Sequence, residues 1–215
     1  MPSNNTFAEP TPRIETLSDM IFGLALSIAA FALIDMPPTD LNEILGDIVL
    51  FGFNFLVLIS VWLRYSAIMS VLPVETRLAM LLNVALLFLV GIEPYTFNLV
   101  SLIGSFSSSQ LDEYASVVYA LDMAGLMLLL ASFSHVLSTG KKLVTPPRAL
   151  RYHKVRNVLF LSAVLFLITL LPQFWEMRVN GAPIRFYLWA IPLGISFTRR
   201  GYSLPGEKAY SRRRR

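Results

Sequence analysis

The chain has 215 residues, 55% of them hydrophobic and 15% charged, with a mean hydropathy of +0.60 and a net charge of +4. Soluble domains carry about 25% charged residues, so the composition excludes an ordinary soluble fold and points to lipid as the main solvent. The absence of cysteine excludes disulfides, thiolate metal sites and cysteine nucleophiles.

The first sixteen residues are polar and show no small-residue cleavage site after a short apolar core, so the first helix is expected to be retained. A bilayer span needs about 20 apolar residues. Six runs approach that length: Leu17–Met36, Ile44–Ile68, Leu78–Ser101, Tyr114–Leu137, Asn157–Phe174 and Pro183–Thr198. Turn signals separate them: "PPTD", "GSFSSSQ", "TGKKLVTPP" and "VNGAP". The expected architecture is all-α, with six transmembrane helices in one membrane domain over residues 17–198. A cytoplasmic segment, residues 1–16, precedes it, and a basic tail, residues 199–215, follows. No internal repeat stands out.

The basic residues set the orientation. Arg13, Arg64, Arg77, the group from Lys141 to Arg156 and the group from Arg199 to Arg215 place 16 of 18 Lys and Arg on one side. Only Arg178 and Arg185 fall on the other. The positive-inside rule therefore predicts a multi-pass cell-membrane protein with both termini in the cytoplasm. The terminal "RRRR" is read as a solvated topogenic tail, without a nucleic-acid partner. The first two outer loops are acidic, with Asp35, Asp40, Glu43 and Asp47 in one and Asp112 and Glu113 in the other. Carboxylates at a pore mouth concentrate cations; ordinary loop solvation accounts for the same charges.

The first helix opens on "RIETLSD". At about 3.6 residues per turn, Met20, Leu24, Ser27, Ile28, Phe31 and Asp35 fall on one stripe, and Ala25, Ala29 and Ala32 form the neighbouring small-residue face. Small residues at that spacing let helices approach closely in lipid, leaving the stripe free for a central axis. An ordinary span capped by Thr16, Ser18 and Asp19 fits the same pattern.

Further along, Glu93 precedes Pro94 in the third span and Asp122 lies in the fourth. Intramembrane carboxylates mark function or demand partners. Arg178 or Arg185 suits Glu93; Asn54, Tyr119 or a backbone group suits Asp122. Trp62, Trp175 and Trp189 are expected near interfaces or between helices. His135 and His153 are too far apart in sequence for a metal set. No phosphate loop or catalytic constellation appears, so neither an enzyme nor a cofactor is expected.

"Arg13-Ile14-Glu15-Thr16-Leu17-Ser18-Asp19" resembles the arginine, three variable residues, phenylalanine, serine, aspartate signature of the lysosomal potassium channel family, transmembrane protein 175, and its short prokaryotic homologues. Leu17 departs from the usual phenylalanine. "LLNVALLFLVGIEPYTFNLV" and "VVYALDMAGLMLLL" are similar to the family's third and fourth helices. The resemblance implies a homotetramer of six-helix subunits whose first helices line a potassium-permeable pore without a carbonyl filter loop. The chain likewise has no "TVGYG". It implies pore constrictions at Leu24, Ile28 and Phe31 and a selectivity hydroxyl at Ser27; Asp35, at the outward end of the stripe, is the expected outer pore mouth. Phe31 departs from the leucine common in prokaryotic members. Arg13, Leu17, Ser18 and Asp19 are then a structural lock, not ion ligands. Potassium and other monovalent cations, the bilayer and further copies of the chain are the implied partners, with no metal beyond transient potassium. The competing expectation is a proton-conducting channel or a proton-coupled secondary transporter using Asp122 and Glu93; a non-conducting membrane scaffold is a third.

Overall fold

The computed structural model describes residues 13–31, 40–72, 77–104, 107–140, 144–179 and 181–198. Within them the chain forms α1 (Arg13–Phe31), α2 (Leu41–Met69), α3 (Arg77–Ser101), α4 (Ser109–Thr139), α5 (Pro146–Ile168), a single turn α6 (Gln173–Glu176), a minimal hairpin of β1 (Arg178–Val179) and β2 (Ala182–Pro183), and α7 (Ile184–Thr198). The architecture is helical, as the apolar runs require: without water, a lipid-exposed backbone must satisfy its polar groups within the segment. Among the described residues three helices are long and apolar enough to cross a membrane: Ile44–Met69, Arg77–Ser101 and Ser109–Thr139. Shorter apolar helices cover Thr16–Phe31 and Ile184–Ile195.

The fifth helix differs from its expected bounds. It begins at Pro146 and ends at Ile168, so it takes in the basic stretch "RALRYHKVR" and stops short of Phe174. Pro146 and Pro147 start it, since a proline in the first turn loses no helical hydrogen bond. The remaining residues up to Arg178 turn through α6, and the expected "VNGAP" turn closes the hairpin, with Gly181 at φ +84°. That left-handed conformation favours glycine.

Helix α4 is the centre of the bundle: 61% of its apolar window is buried, against 28% for α2. It packs between α3 and α5, while α1 lies against α3 and α2. Tyr119 of α4 packs between Phe97 of α3, edge-on at 5.8 Å, and Trp189 of α7, tilted at 5.0 Å, and Trp189 also meets Phe166 of α5 at 6.2 Å. In lipid, helices gain little from leaving the solvent, so such close packing carries much of the association.

Arg185 binds the far end of the bundle. It is fully buried; its Nε donates to the Thr169 carbonyl at 2.6 Å, one terminal nitrogen to Ser116 Oγ at 2.5 Å and the other to the Leu170 carbonyl at 3.4 Å. Its guanidinium carbon lies 5.4 Å from the Trp175 ring centre. The side chain thus takes up carbonyls at the C-terminal end of α5, where no further helical turn supplies donors.

The acidic stretch between α3 and α4 has a structural use. Asp112 accepts from the Gly104 backbone at 2.9 Å, where Gly104 turns at φ +96°. Ser108 caps α4 by accepting from Leu111 N.

Candidate functional site: the α1 stripe and a buried carboxylate cluster

Helix α1 has two faces. Ser18, Phe22, Ala25 and Ala29, spaced four, three and four residues apart, are buried against the rest of the bundle. Leu17, Met20, Leu24, Ser27, Ile28 and Phe31 lie on the opposite side and are exposed; Leu24 is 60% and Phe31 64% exposed. The alanines therefore let α1 approach the other helices of the chain closely, and the stripe is left uncovered. Ser27 Oγ donates to the Gly23 carbonyl at 2.9 Å. Its only proton points along the helix, so the oxygen lone pairs face outward, able to accept. Asp35 and Ala32 lie outside the described residues, as does the side chain of Arg13.

The entrance of α1 is held by side chains from two other helices. Trp62 Nε1 of α2 donates to Asp19 Oδ1 at 2.9 Å. The Tyr65 hydroxyl, also on α2, is shared between Ser18 Oγ at 2.6 Å and Asn83 Oδ1 of α3 at 2.7 Å. Phe22 packs on the Tyr65 ring, centroids 5.5 Å apart. Ser18, Tyr65 and Asn83 are all buried, so each polar contact forms where water competes least. Sequence reading did not single out Tyr65 and Asn83. A tyrosine and an asparagine inside apolar spans were the available signal, since polar groups there seek each other.

Towards the other end of the bundle, α2, α3 and α4 bring a polar cluster together. Glu93 is fully buried, and the Asn54 amide, oriented with its nitrogen inward, donates to its two carboxylate oxygens at 2.6 and 3.0 Å. Asp122 Oδ2 lies 3.1 Å from Thr96 Oγ1, which also reaches the Glu93 carbonyl at 2.9 Å. The pairing of Glu93 with Arg178 or Arg185 expected from sequence is not what forms. Arg185 is held by Thr169, Leu170 and Ser116, and Arg178 donates to the Gly181 carbonyl at 3.1 Å. Likewise Asn54 serves Glu93, and Asp122 takes Thr96 as its partner. A cavity of about 50 Å³ lined by Asp47, Asn54, Asn98 and Ser101 adjoins the cluster.

Among the described residues no group of three or more His, Cys, Asp or Glu could hold a metal ion. His135 instead sits 3.0 Å from an Arg156 nitrogen, between α4 and α5.

Apolar helices of spanning length, with polar contacts confined to helix junctions, define a membrane protein. The family model described as endosomal/lysosomal potassium channel TMEM175 matches residues 13–94, from the start of α1 to Pro94 in α3. That match supports membership of the TMEM175 potassium channel family and, with it, a cation-channel class. No curated protein and no solved structure matches the chain.

Proposed function

We propose that the chain is the subunit of a homotetrameric, potassium-permeable channel that favours potassium over sodium and has no carbonyl filter loop. The six spans are α1, α2, α3, α4, α5 and α7, within a membrane domain of residues 17–198. Residues 1–16 and the basic tail 199–215 flank it on the cytoplasmic side of the cell membrane. Four copies of α1 surround the axis. Leu24, Ile28 and Phe31 form stacked constrictions, Ser27 offers an oxygen to a partly dehydrated cation, and Asp35 forms the outer mouth. A ring of large apolar side chains blocks conduction by dewetting, so Leu24 acts as the gate. Arg13, Leu17, Ser18 and Asp19 hold the helix and do not touch the ion.

The observation that carries this reading is the division of α1: one face is locked to α2 and α3, and the apolar stripe with its single hydroxyl is left uncovered. It falls inside the stretch that matches the channel family. A closed ring of identical subunits gives such a face a partner in symmetry. Electrical recording from purified protein in liposomes, under opposed potassium and sodium gradients, tests the function. A potassium-biased reversal potential is expected. Silent bilayers with correctly inserted protein would leave a non-conducting scaffold, and a reversal potential that follows the proton gradient would favour the Asp122–Glu93 alternative.

A further inference from the structure

We propose that Glu93 and Asp122 form a buried proton-binding site, reached by water from the outer cavity beside Asn54. This goes beyond conduction and does not depend on where the cation pathway runs.

Three observations carry the inference. Glu93 and Asp122 are 0% and 4% exposed, so both are withdrawn from bulk water and from lipid headgroups. Among the described residues no lysine or arginine contacts either one; their partners are the neutral Asn54 and Thr96. Two carboxylates buried together without a cation cannot both keep their charge, because each loses its hydration and repels the other. The second observation concerns proton count. The Thr96 hydroxyl has one proton but stands within hydrogen-bond distance of two acceptors, the Glu93 carbonyl and Asp122 Oδ2. If its proton goes to the carbonyl, the contact with Asp122 closes only when Asp122 supplies a proton of its own. Third, among the described residues Asp122 Oδ1 and the Tyr119 hydroxyl are buried without a hydrogen-bond partner, and Tyr119 lies in the electrostatic field of both carboxylates. Orphaned buried atoms of this kind leave capacity for a proton or for a water that carries one.

Among the described residues the surroundings supply no competing cation. From α2 come Asn54 and, across the cavity, Asp47; from α3 Glu93; from α4 Asp122 and Tyr119; and from α7 Trp189 against the Tyr119 ring. Arg185 of α7 is committed to Ser116 and the α5 carbonyls. The cavity has room for a water. Asn54 forms part of its wall and binds Glu93, so a proton from outer water has a short route to the pair. Binding converts one carboxylate to a carboxylic acid and changes no other bond.

Infrared spectroscopy of the purified full chain in potassium-containing lipid tests this. The carbonyl stretch of a non-ionised carboxylic acid is expected at neutral pH, shifted in deuterium oxide and lost as the pH is raised. Asp122→Asn and Glu93→Gln are each expected to shift the band and the pH at which it is lost, because each removes one member of the pair while the other stays buried. The wild-type spectrum stands whether or not the variants fold. Absence of the band at neutral pH, or a band unmoved in both folded variants, overturns the proposal. So does a band seen only when potassium and sodium are replaced by a bulky organic cation, which assigns the site to a metal ion.

Discussion

Trp62 of α2 donates its indole N–H to Asp19 of α1 at 2.9 Å, across 43 residues of sequence. The contact joins a carboxylate at the start of one apolar helix to an amphipathic ring on the next. A hydrogen bond to a charged group contributes more than a neutral one, about 1.5–3 kcal/mol. Asp19→Ala and Trp62→Phe are both expected to lower the thermal unfolding midpoint of the detergent-purified protein. The double variant should cost less than the sum, because the two changes remove the same bond. Ion preference should stay as in the wild type. Unchanged midpoints together with altered selectivity would place Asp19 in the ion pathway instead.

Tyr65 makes a second, independent prediction. Its hydroxyl serves Ser18 on α1 and Asn83 on α3. Tyr65→Phe leaves the ring in place against Phe22 but removes the hydroxyl that donates to the buried Asn83 side-chain oxygen. An unsatisfied buried group costs about 1–3 kcal/mol, so Tyr65→Phe should destabilise more than a typical surface change. Replacing Asn83 by leucine in the same chain should recover part of the loss, since the stranded amide is then gone. Circular dichroism melts of the three variants would check the order.

Much of the helical outline was legible because periodicity and length act locally. The second, third and fourth runs agree with α2, α3 and α4 to within a few residues. The fifth did not, because "RALRYHKVR" is too polar to read as part of a span yet is a good helix former behind two prolines. At the site, the α1 stripe was legible for the same local reason: residues three and four apart share a face. The partners were not. Whether Glu93 meets Arg185 or Asn54 depends on how α3 turns relative to α2 and α7, and no local pattern fixes that. Arg185 looked free for a carboxylate; the open carbonyls at the end of α5 took it first.

Gly125 of α4 faces the Leu89 side chain of α3 at close range. A Cβ placed there would stand 2.7 Å from Leu89 Cδ1. That methyl is the end of a side chain with rotamer freedom, so Gly125→Ala should be tolerated with a small loss. Gly125→Val adds branches that cannot be accommodated by one rotation. Overpacking of this kind costs about 1–3 kcal/mol. Combining Gly125→Val with Leu89→Ala should restore most of the stability, as the clash and its cause are one contact. Additive losses in the double variant would show that the strain lies elsewhere on α4.

The pore reading stands or falls on Leu24. Leu24 and Ile28 lie one turn apart on the exposed stripe of α1, with Ser27 beside them. In a tetramer, four Leu24 side chains meet at the axis and leave a dry constriction that an ion crosses only by losing water without replacement. Leu24→Asn substitutes an amide of nearly the same size that can bind water and cations. Planar-bilayer recording should then show a higher conductance and a weaker preference for potassium over sodium. Asp35→Asn, at the outer mouth, should act differently, lowering inward cation flux at low salt and having little effect at high salt, where screening shortens the reach of the charge to a few ångströms. Exposure of α1 to lipid predicts the opposite for Leu24: an asparagine on the lipid face costs insertion and stability and leaves the current as it was. Unchanged conductance and selectivity in an assembled Leu24→Asn channel would therefore move the pathway away from α1 and leave its entrance contacts as the lock of an ordinary membrane helix.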